Sequence, residues 1–278
     1  MMNRKLKKIY ISCDMEGING VCSDRHREMG NLFYEWARQQ TTRELSTVIS
    51  EFKKRGVEEF VVNDSHDYML NLHIDELPEG TSLISGTHKT DSMMEGVDAG
   101  FDGAVFIGYH GRCGLHRAVL SHTYSDSIYH AEINGIWFGE TTINAAYCGE
   151  KDIPVLLVSG DDVLADEVRR LATGTKSVIT KYGISRSAGR MLHPAQVTGH
   201  YQKAVEEVCQ SEIKPFRLES PYHLAITLRE PQMVDIALRV PGTVRTGESS
   251  LEFSHNDYIT TYRAFLAIQT LASGSYLK

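Results

Sequence analysis

No apolar run in this sequence approaches the ~20 residues that a membrane-spanning helix needs. The longest are short, such as Ile153 to Val158, so no membrane partner is expected. Positive charge is scarce as well: 29 Lys and Arg stand against 36 Asp and Glu, for a formal net charge of −7. No basic stripe extends beyond a few N-terminal residues, which argues against nucleic acid as a partner. The cysteines are five in number, Cys13, Cys22, Cys113, Cys148 and Cys209, with no C-x-x-C among them. An odd count without that spacing excludes a disulfide framework and a zinc knuckle, and it suits a reducing cytoplasm. Also missing are a glycine-rich phosphate loop, an H-E-x-x-H and a G-x-S-x-G, which sets aside P-loop enzymes, zincins and elbow-type serine hydrolases. The N-terminal Arg4-Lys5-Leu6-Lys7-Lys8 has the charge of an export signal's start. However, Asp14 and Glu16 cut its apolar part too short, so a cytoplasmic protein is expected.

What is present is an ordinary globular composition of 278 residues, 41% hydrophobic and 23% charged, enough for one large domain or two intertwined ones. Ile9-Tyr10-Ile11, Phe60-Val61-Val62, Ala104 to Ile107 and Val155 to Val158 read as short buried strands. Between the first two, Leu45, Val48, Ile49 and Phe52 fall on one helix face, with Gly56 as the stop. Asn134-Gly135 predicts a type I′ hairpin, and helices are expected near 140–148 and 162–172. Strands alternating with helices imply an α/β fold whose mostly parallel sheet is covered by helices on both faces. After Gly174 the pattern changes. A helix should begin near Pro194, and Leu224, Ile226 and Leu228 alternate, as do Val234, Ile236, Leu238 and Val240, which predicts antiparallel strands. A last helix from about Asp257 to Ala272 should be capped by Asn256. The expected division is a metal-binding α/β domain over 1–176 and a smaller α+β domain with antiparallel strands over 177–278, with a soft boundary.

Four predicted strands end in polar clusters: Asp14 with Glu16, Asp64 with His66, His110, and Asp161 with Asp162. Ligands bind beyond the carboxyl ends of parallel strands. Carboxylates gathered there repel by about 4 kcal/mol per pair at ~4 Å and an effective dielectric of ~20. A divalent cation turns that repulsion into binding, and imidazole mixed with carboxylate suits zinc and its first-row neighbours. Asp14 and Glu16, two residues apart, point to one side of an extended chain, and Gly17 allows a turn after them. Asp64 is either a ligand or the group that orients His66. Helix capping is the plainer role for Asp161 or Asp162. Among His116, His122 and His130, any one could serve as general acid or base, and spacing does not choose between them. Glu132 and Glu140 flank the hairpin, and either could be a ligand.

Together these residues resemble the zinc-dependent D-aminopeptidase family, first known from a bacterial dipeptide-transport operon. The resemblance covers nearly the whole chain. It rests on Ser12 to Gly17, Asn63-Asp64-Ser65-His66, Gly108-Tyr109-His110, Ser121-His122, Gly139-Glu140, Gly160-Asp161-Asp162 and Ile184 to Ala188. It implies two Zn2+ per subunit held by Asp14, Glu16, His66, His110 and Glu140, with one carboxylate bridging. It also implies a catalytic His122 and a ring-like homo-oligomer that encloses the active sites. The loop from Gly111 to Leu120, carrying Cys113 and His116, departs from the family pattern by about one residue. The expected activity is hydrolysis of the N-terminal residue from short, D-amino-acid-containing peptides. The alternatives are a dinuclear phosphoesterase, a non-catalytic peptide-binding protein and a metal-stabilised structural subunit.

Overall fold

The computed structural model describes residues 6–98 and 100–274; Arg4 and Lys5 of the basic N-terminal run lie outside them. Strand β1 (Lys8–Cys13) turns Ile9, Ile11 and Cys13 to one layer and Tyr10 to the other, as a two-residue period requires. After a short helical turn, α1 (Asp24–Arg27), comes the long helix α2 (Leu32–Lys53). Asn31 caps it by accepting from the Tyr34 amide. The predicted stripe of Leu45, Val48, Ile49 and Phe52 is fully buried, each side chain worth ~1.5–3 kcal/mol over exposure. Gly56, at φ +90°, ends the helix in the left-handed region.

The predicted strands form as β2 (Glu59–Asp64) and, after an unpredicted β3 (Thr81–Ile84), β4 (Gly103–Ile107). Asn134 and Gly135, both at positive φ, join β5 (Ile128–Ile133) to β6 (Ile136–Trp137) in the expected hairpin. Helix α3 (Glu140–Glu150), β7 (Val155–Asp161) and α4 (Asp162–Arg170) also lie where expected. Next come β8 (Lys176–Ser185) and β9 (Ala188–Met191), which polar residues on one side hid from the pattern, and then α5 (Pro194–Gln210) on its first-turn proline. The alternation of Leu224, Ile226 and Leu228 is β10 (Tyr222–Leu228).

The second alternation misleads. Val234 and Ile236 lie in a helix, α6 (Pro231–Ala237), and not in a strand. Pro231 pre-sets the first helical turn, and Met233, Val234 and Ala237 bury one helical face. The partner strands are instead β11 (Val244–Arg245) and β12 (Ser250–His255). The last helix, α7 (Tyr258–Gly274), is capped by Asp257 and not Asn256: Asp257 Oδ1 accepts from Thr260 N at 2.7 Å.

The large sheet runs β3-β2-β1-β4-β7-β8-β9. Every neighbouring pair is parallel except β8 and β9. Helices α2 and α5 cover one face; α3, α4, α7 and the smaller sheet cover the other. The smaller sheet, β11-β12-β10-β5-β6, is antiparallel. The two sheets interleave along the chain, since β5 and β6 join the small sheet before β7 returns to the large one. Strand β1 has β2 on one side and β4 on the other, which makes the carboxyl end of β1 the switch point where a crevice opens. Among the described residues, no helix is long and apolar enough to cross a membrane.

Candidate metal centre

Main-chain hydrogen bonds stitch three strand ends together. Asp14 N donates to Ile107 O at 2.8 Å, Ser65 N to Cys13 O at 2.8 Å, and Gly17 N to Gly108 O at 2.6 Å. Two glycines make the last contact possible. A Cβ on Gly17 would lie 1.9 Å from Tyr109 O, and one on Gly108, at φ +70°, would lie 2.2 Å from Asp14 O. The side chains that leave these ends therefore start from closely coupled backbone.

Asp14, Glu16, His66, His110 and Glu140 converge there, all buried. Asp14 divides its oxygens: Oδ1 lies 3.2 Å from His66 Nδ1 and Oδ2 lies 3.5 Å from His110 Nε2. His66 Nδ1 is also 2.9 Å from Glu16 Oε2, and His110 Nε2 is 3.2 Å from Glu140 Oε2. Glu140 begins α3, and its Oε1 accepts from Tyr124 N at 2.7 Å. The His122 ring stacks on that of His110 with centroids 4.1 Å apart. Its Nε2 stands 4.0 Å from Glu16 Oε1 and 3.8 Å from Glu140 Oε1.

Each imidazole has one nitrogen committed to a main-chain carbonyl. His66 Nε2 meets Arg27 O at 3.1 Å, His110 Nδ1 meets Gly111 O at 3.1 Å, and His122 Nδ1 meets Leu120 O at 2.8 Å. A carbonyl only accepts, so each of these nitrogens carries a proton, and the other nitrogen faces the carboxylates, where its lone pair meets theirs unless a second proton fills it. Lone pairs facing lone pairs need a cation between them.

Two observations show that the donor set fits a metal. Glu16 Oε2 and His110 Nε2 are buried without a hydrogen-bond partner among the described residues, although other donors lie at ion-pair distance; the atoms are close but not aligned to bond one another. Ligand atoms of Asp14, Glu16 and His110 fall within 4.8 Å of each other, and so do those of His110, His122 and Glu140. Without a cation, protons hold the charge. Burial, and then Glu16, push Asp14 up to about 8. Burial opposes charge on His110, but Glu140 and Asp14 outweigh it and raise it to about 10. Burial likewise opposes charge on His66, yet Glu16 and Asp14 hold its pKa well above the ordinary range. Burial would raise Glu16, but His66 holds it well below the ordinary carboxylate range. His122 differs: burial and the neighbouring His110 lower its pKa and keep it neutral. A divalent cation replaces such protons at the same donors.

The other candidates lie elsewhere or serve the site from behind. Asp64 accepts from Asn71 N at 2.6 Å, Asn71 Nδ2 at 2.8 Å and Leu72 N at 2.9 Å, and Asn71 Nδ2 also donates to His66 O at 2.7 Å. It shapes the loop of His66. Asp161 caps α4 and accepts from Val119 N at 2.7 Å, which holds the approach to His122. Asp162 accepts from Gly183 N at 2.7 Å. His116 is exposed, Cys113 Sγ lies 3.2 Å from Tyr129 O, and His130 pairs with Glu132 at 3.2 Å on the small sheet. Two residues escaped the sequence reading. Arg27 NH1 reaches 3.5 Å from Glu16 Oε1, and Lys181 is buried behind the Glu16 loop. Arg27 left no signal, because α1 is a single turn with no buried apolar face. Lys181 left a faint one, a lone charge within Val178 to Tyr182. A cleft of about 900 Å³ opens on the cluster, walled by Arg27, Lys89, Tyr124, Asp126, Arg263 and Thr270, which is the size of a small-ligand pocket.

Comparison with known proteins agrees with this architecture. A sequence model of the D-aminopeptidase family matches residues 7–267. The D-aminopeptidase of Bacillus subtilis (strain 168) is 36% identical over 268 residues, which cover 95% of this chain and 97% of that protein. The solved structure of the Zn-dependent D-aminopeptidase DppA from Bacillus subtilis, described as a self-compartmentalizing protease, is similar with a TM-score of 0.92. That match has 36% identity and covers 96% of this chain and 98% of the other.

Proposed function

This chain belongs to the D-aminopeptidase family, and on that premise we propose that it holds two zinc ions per subunit and removes the N-terminal residue, of D configuration, from short peptides. The observation that carries the two-ion reading is the division of Asp14. One oxygen faces His66 and the other faces His110, while Glu16 and Glu140 stand beside these two rings respectively. Asp14 would help to hold both ions, with Glu16 and His66 on one side and His110 and Glu140 on the other.

Zinc bound there would polarise the scissile carbonyl and acidify a water. The chain's own part follows from proton positions. His122 Nδ1 is committed to Leu120 O, so neutral His122 offers a lone pair at Nε2. Nε2 takes the proton that the attacking water loses, and it can return that proton to the departing amine. The cleft admits a short peptide, and the exposed Asp67 carboxylate on its wall suits a substrate ammonium, whereas Asp126 is taken up by Arg27 and Arg186. The unpaired cysteines suit the cytoplasm. For assembly, we extend the self-compartmentalizing character of DppA to a ring-like homo-oligomer of this chain. The exposed Met29, Leu32, Phe33 and Trp36 offer an apolar surface for a second copy.

The test is metal analysis of the purified protein followed by a panel of D- and L-di- and tripeptides, with phosphate esters as controls. Two equivalents of zinc and release of an N-terminal D-residue are expected. One equivalent rejects the dinuclear reading; turnover of L-peptides or phosphate esters alone rejects the substrate reading.

A further inference from the structure

Lys181 lies in β8, fully buried, and its ammonium has an unusual set of partners. Nζ donates to Glu16 O at 2.5 Å, Ile18 O at 2.8 Å and Val21 O at 2.5 Å. An ammonium has three protons and no acceptor, so these carbonyls saturate it. All three belong to the single loop that begins at Glu16. Next to it, Thr180 Oγ1 donates to Gly17 O at 2.6 Å. Two consecutive strand residues normally point to opposite faces. Here the register shifts between Gly160 and Asp161, which pair with Ile179 and Lys181. Thr180 is the extra residue of a bulge, and bulges re-aim side chains. Both Thr180 and Lys181 thereby reach the loop.

Burying a charge costs far more than burying a neutral donor. A loop that needed only to be closed could be tied by a hydroxyl or an amide. The cation is placed where it fixes the peptide plane of Glu16, from which the carboxylate extends toward His66. Gly17 N in turn bonds Gly108 O, so the same tie reaches the strand end that leads to His110. We propose that Lys181 is a positioning residue: its ammonium, with Thr180, sets the backbone of the 16–21 loop so that the Glu16 carboxylate reaches the metal. The inference rests on Glu16 being a zinc ligand, as proposed above.

The test compares the full-length protein with Lys181→Met, which keeps the volume and removes the donors. The measurements are the zinc dissociation constant by chelator competition, amide exchange at Gly17, Ile18 and Val21, and the melting temperature of the metal-free form. Zinc affinity should fall at least tenfold, exchange should quicken at those amides before it does elsewhere, and added free zinc should restore turnover. A folded Lys181→Met with wild-type zinc affinity overturns the proposal, because the lysine would then serve only the fold. If Lys181→Met does not fold, Thr180→Val decides. It breaks one tie and should weaken zinc several-fold; unchanged affinity overturns the proposal. A wild-type protein that takes up no zinc removes the metal reading itself, and this role falls with it.

Discussion

Asp14 with Glu16, and His130 with Glu132, are both pairs of metal-ligand-type side chains two residues apart, two carboxylates in the first and an imidazole with a carboxylate in the second. The first pair is buried, with side chains 4% and 2% exposed. The second is 22% and 31% exposed. The difference is the sheet around each. At the carboxyl edge of the parallel sheet, the loops after β2 and β4 and the start of α3 close over Asp14 and Glu16 with two imidazoles and another carboxylate. In β5, between antiparallel neighbours, His130 and Glu132 share one face with Trp137, whose ring centroid lies 4.0 Å from that of His130. Among the described residues, no third ligand joins them. Local spacing offers a site, and the convergence of other chain segments decides whether one exists.

The contrast can be broken in order of expected effect. Asp14→Ala should abolish zinc binding by metal analysis and turnover with it, whereas Glu132→Ala keeps both. His122→Ala should keep its zinc and lose ~10²–10⁴-fold in kcat, the usual span for a general base. His130→Ala, assayed in parallel, should change kcat less than ~2-fold if its pair lies outside the chemistry. Stripping the metal with a chelator should lower stability by about 3 kcal/mol for each ion lost, read as a drop in Tm, when free zinc had stood at ~100 times its dissociation constant.

A lone buried acid sharpens the comparison. Glu44 accepts from Asn19 N at 2.9 Å and Tyr201 OH at 2.6 Å but has no imidazole beside it. Burial raises it from 4.5 to about 7, whereas His66 drives Glu16 the other way. With the folded value above the unfolded one, the native state keeps a proton that the unfolded chain has lost. Stability therefore falls as pH rises from 4.5 to about 7, by no more than ~3 kcal/mol. Glu44→Gln should flatten that slope in Tm measured across the same window. A slope unchanged in the variant would assign the pH dependence to other groups. Smallest of all, Glu132→Ala should leave stability within ~0.5 kcal/mol.

Much of the large sheet was legible, because strands buried on both faces read as apolar runs and α2 repeats at helical spacing. Strands β3, β8, β9 and β12 were not legible, since the exposed Ser82, Ser177, Arg190 and Glu252 interrupt their few apolar residues. Around Val234, four apolar residues at alternate positions outweighed Pro231, and the proline was the better guide. Five of the converging side chains could be nominated by position at strand ends or beside the hairpin, but the choice between Glu132 and Glu140 could not be made from spacing. It depends on α3 starting against the carboxyl edge of the sheet. Arg27 and Lys181 depend on loop paths and a bulge, which no periodicity encodes.

The carbonyls of Arg27, Gly111 and Leu120 that hold the three imidazoles have a lasting effect on how this site can vary. Exchanging a neighbouring amino acid cannot withdraw them, since every amino acid carries the same carbonyl. Ring orientation is thus inherited from the course of the polypeptide, and the cleft walls are free to diverge while the nitrogens that face the carboxylates keep their aim.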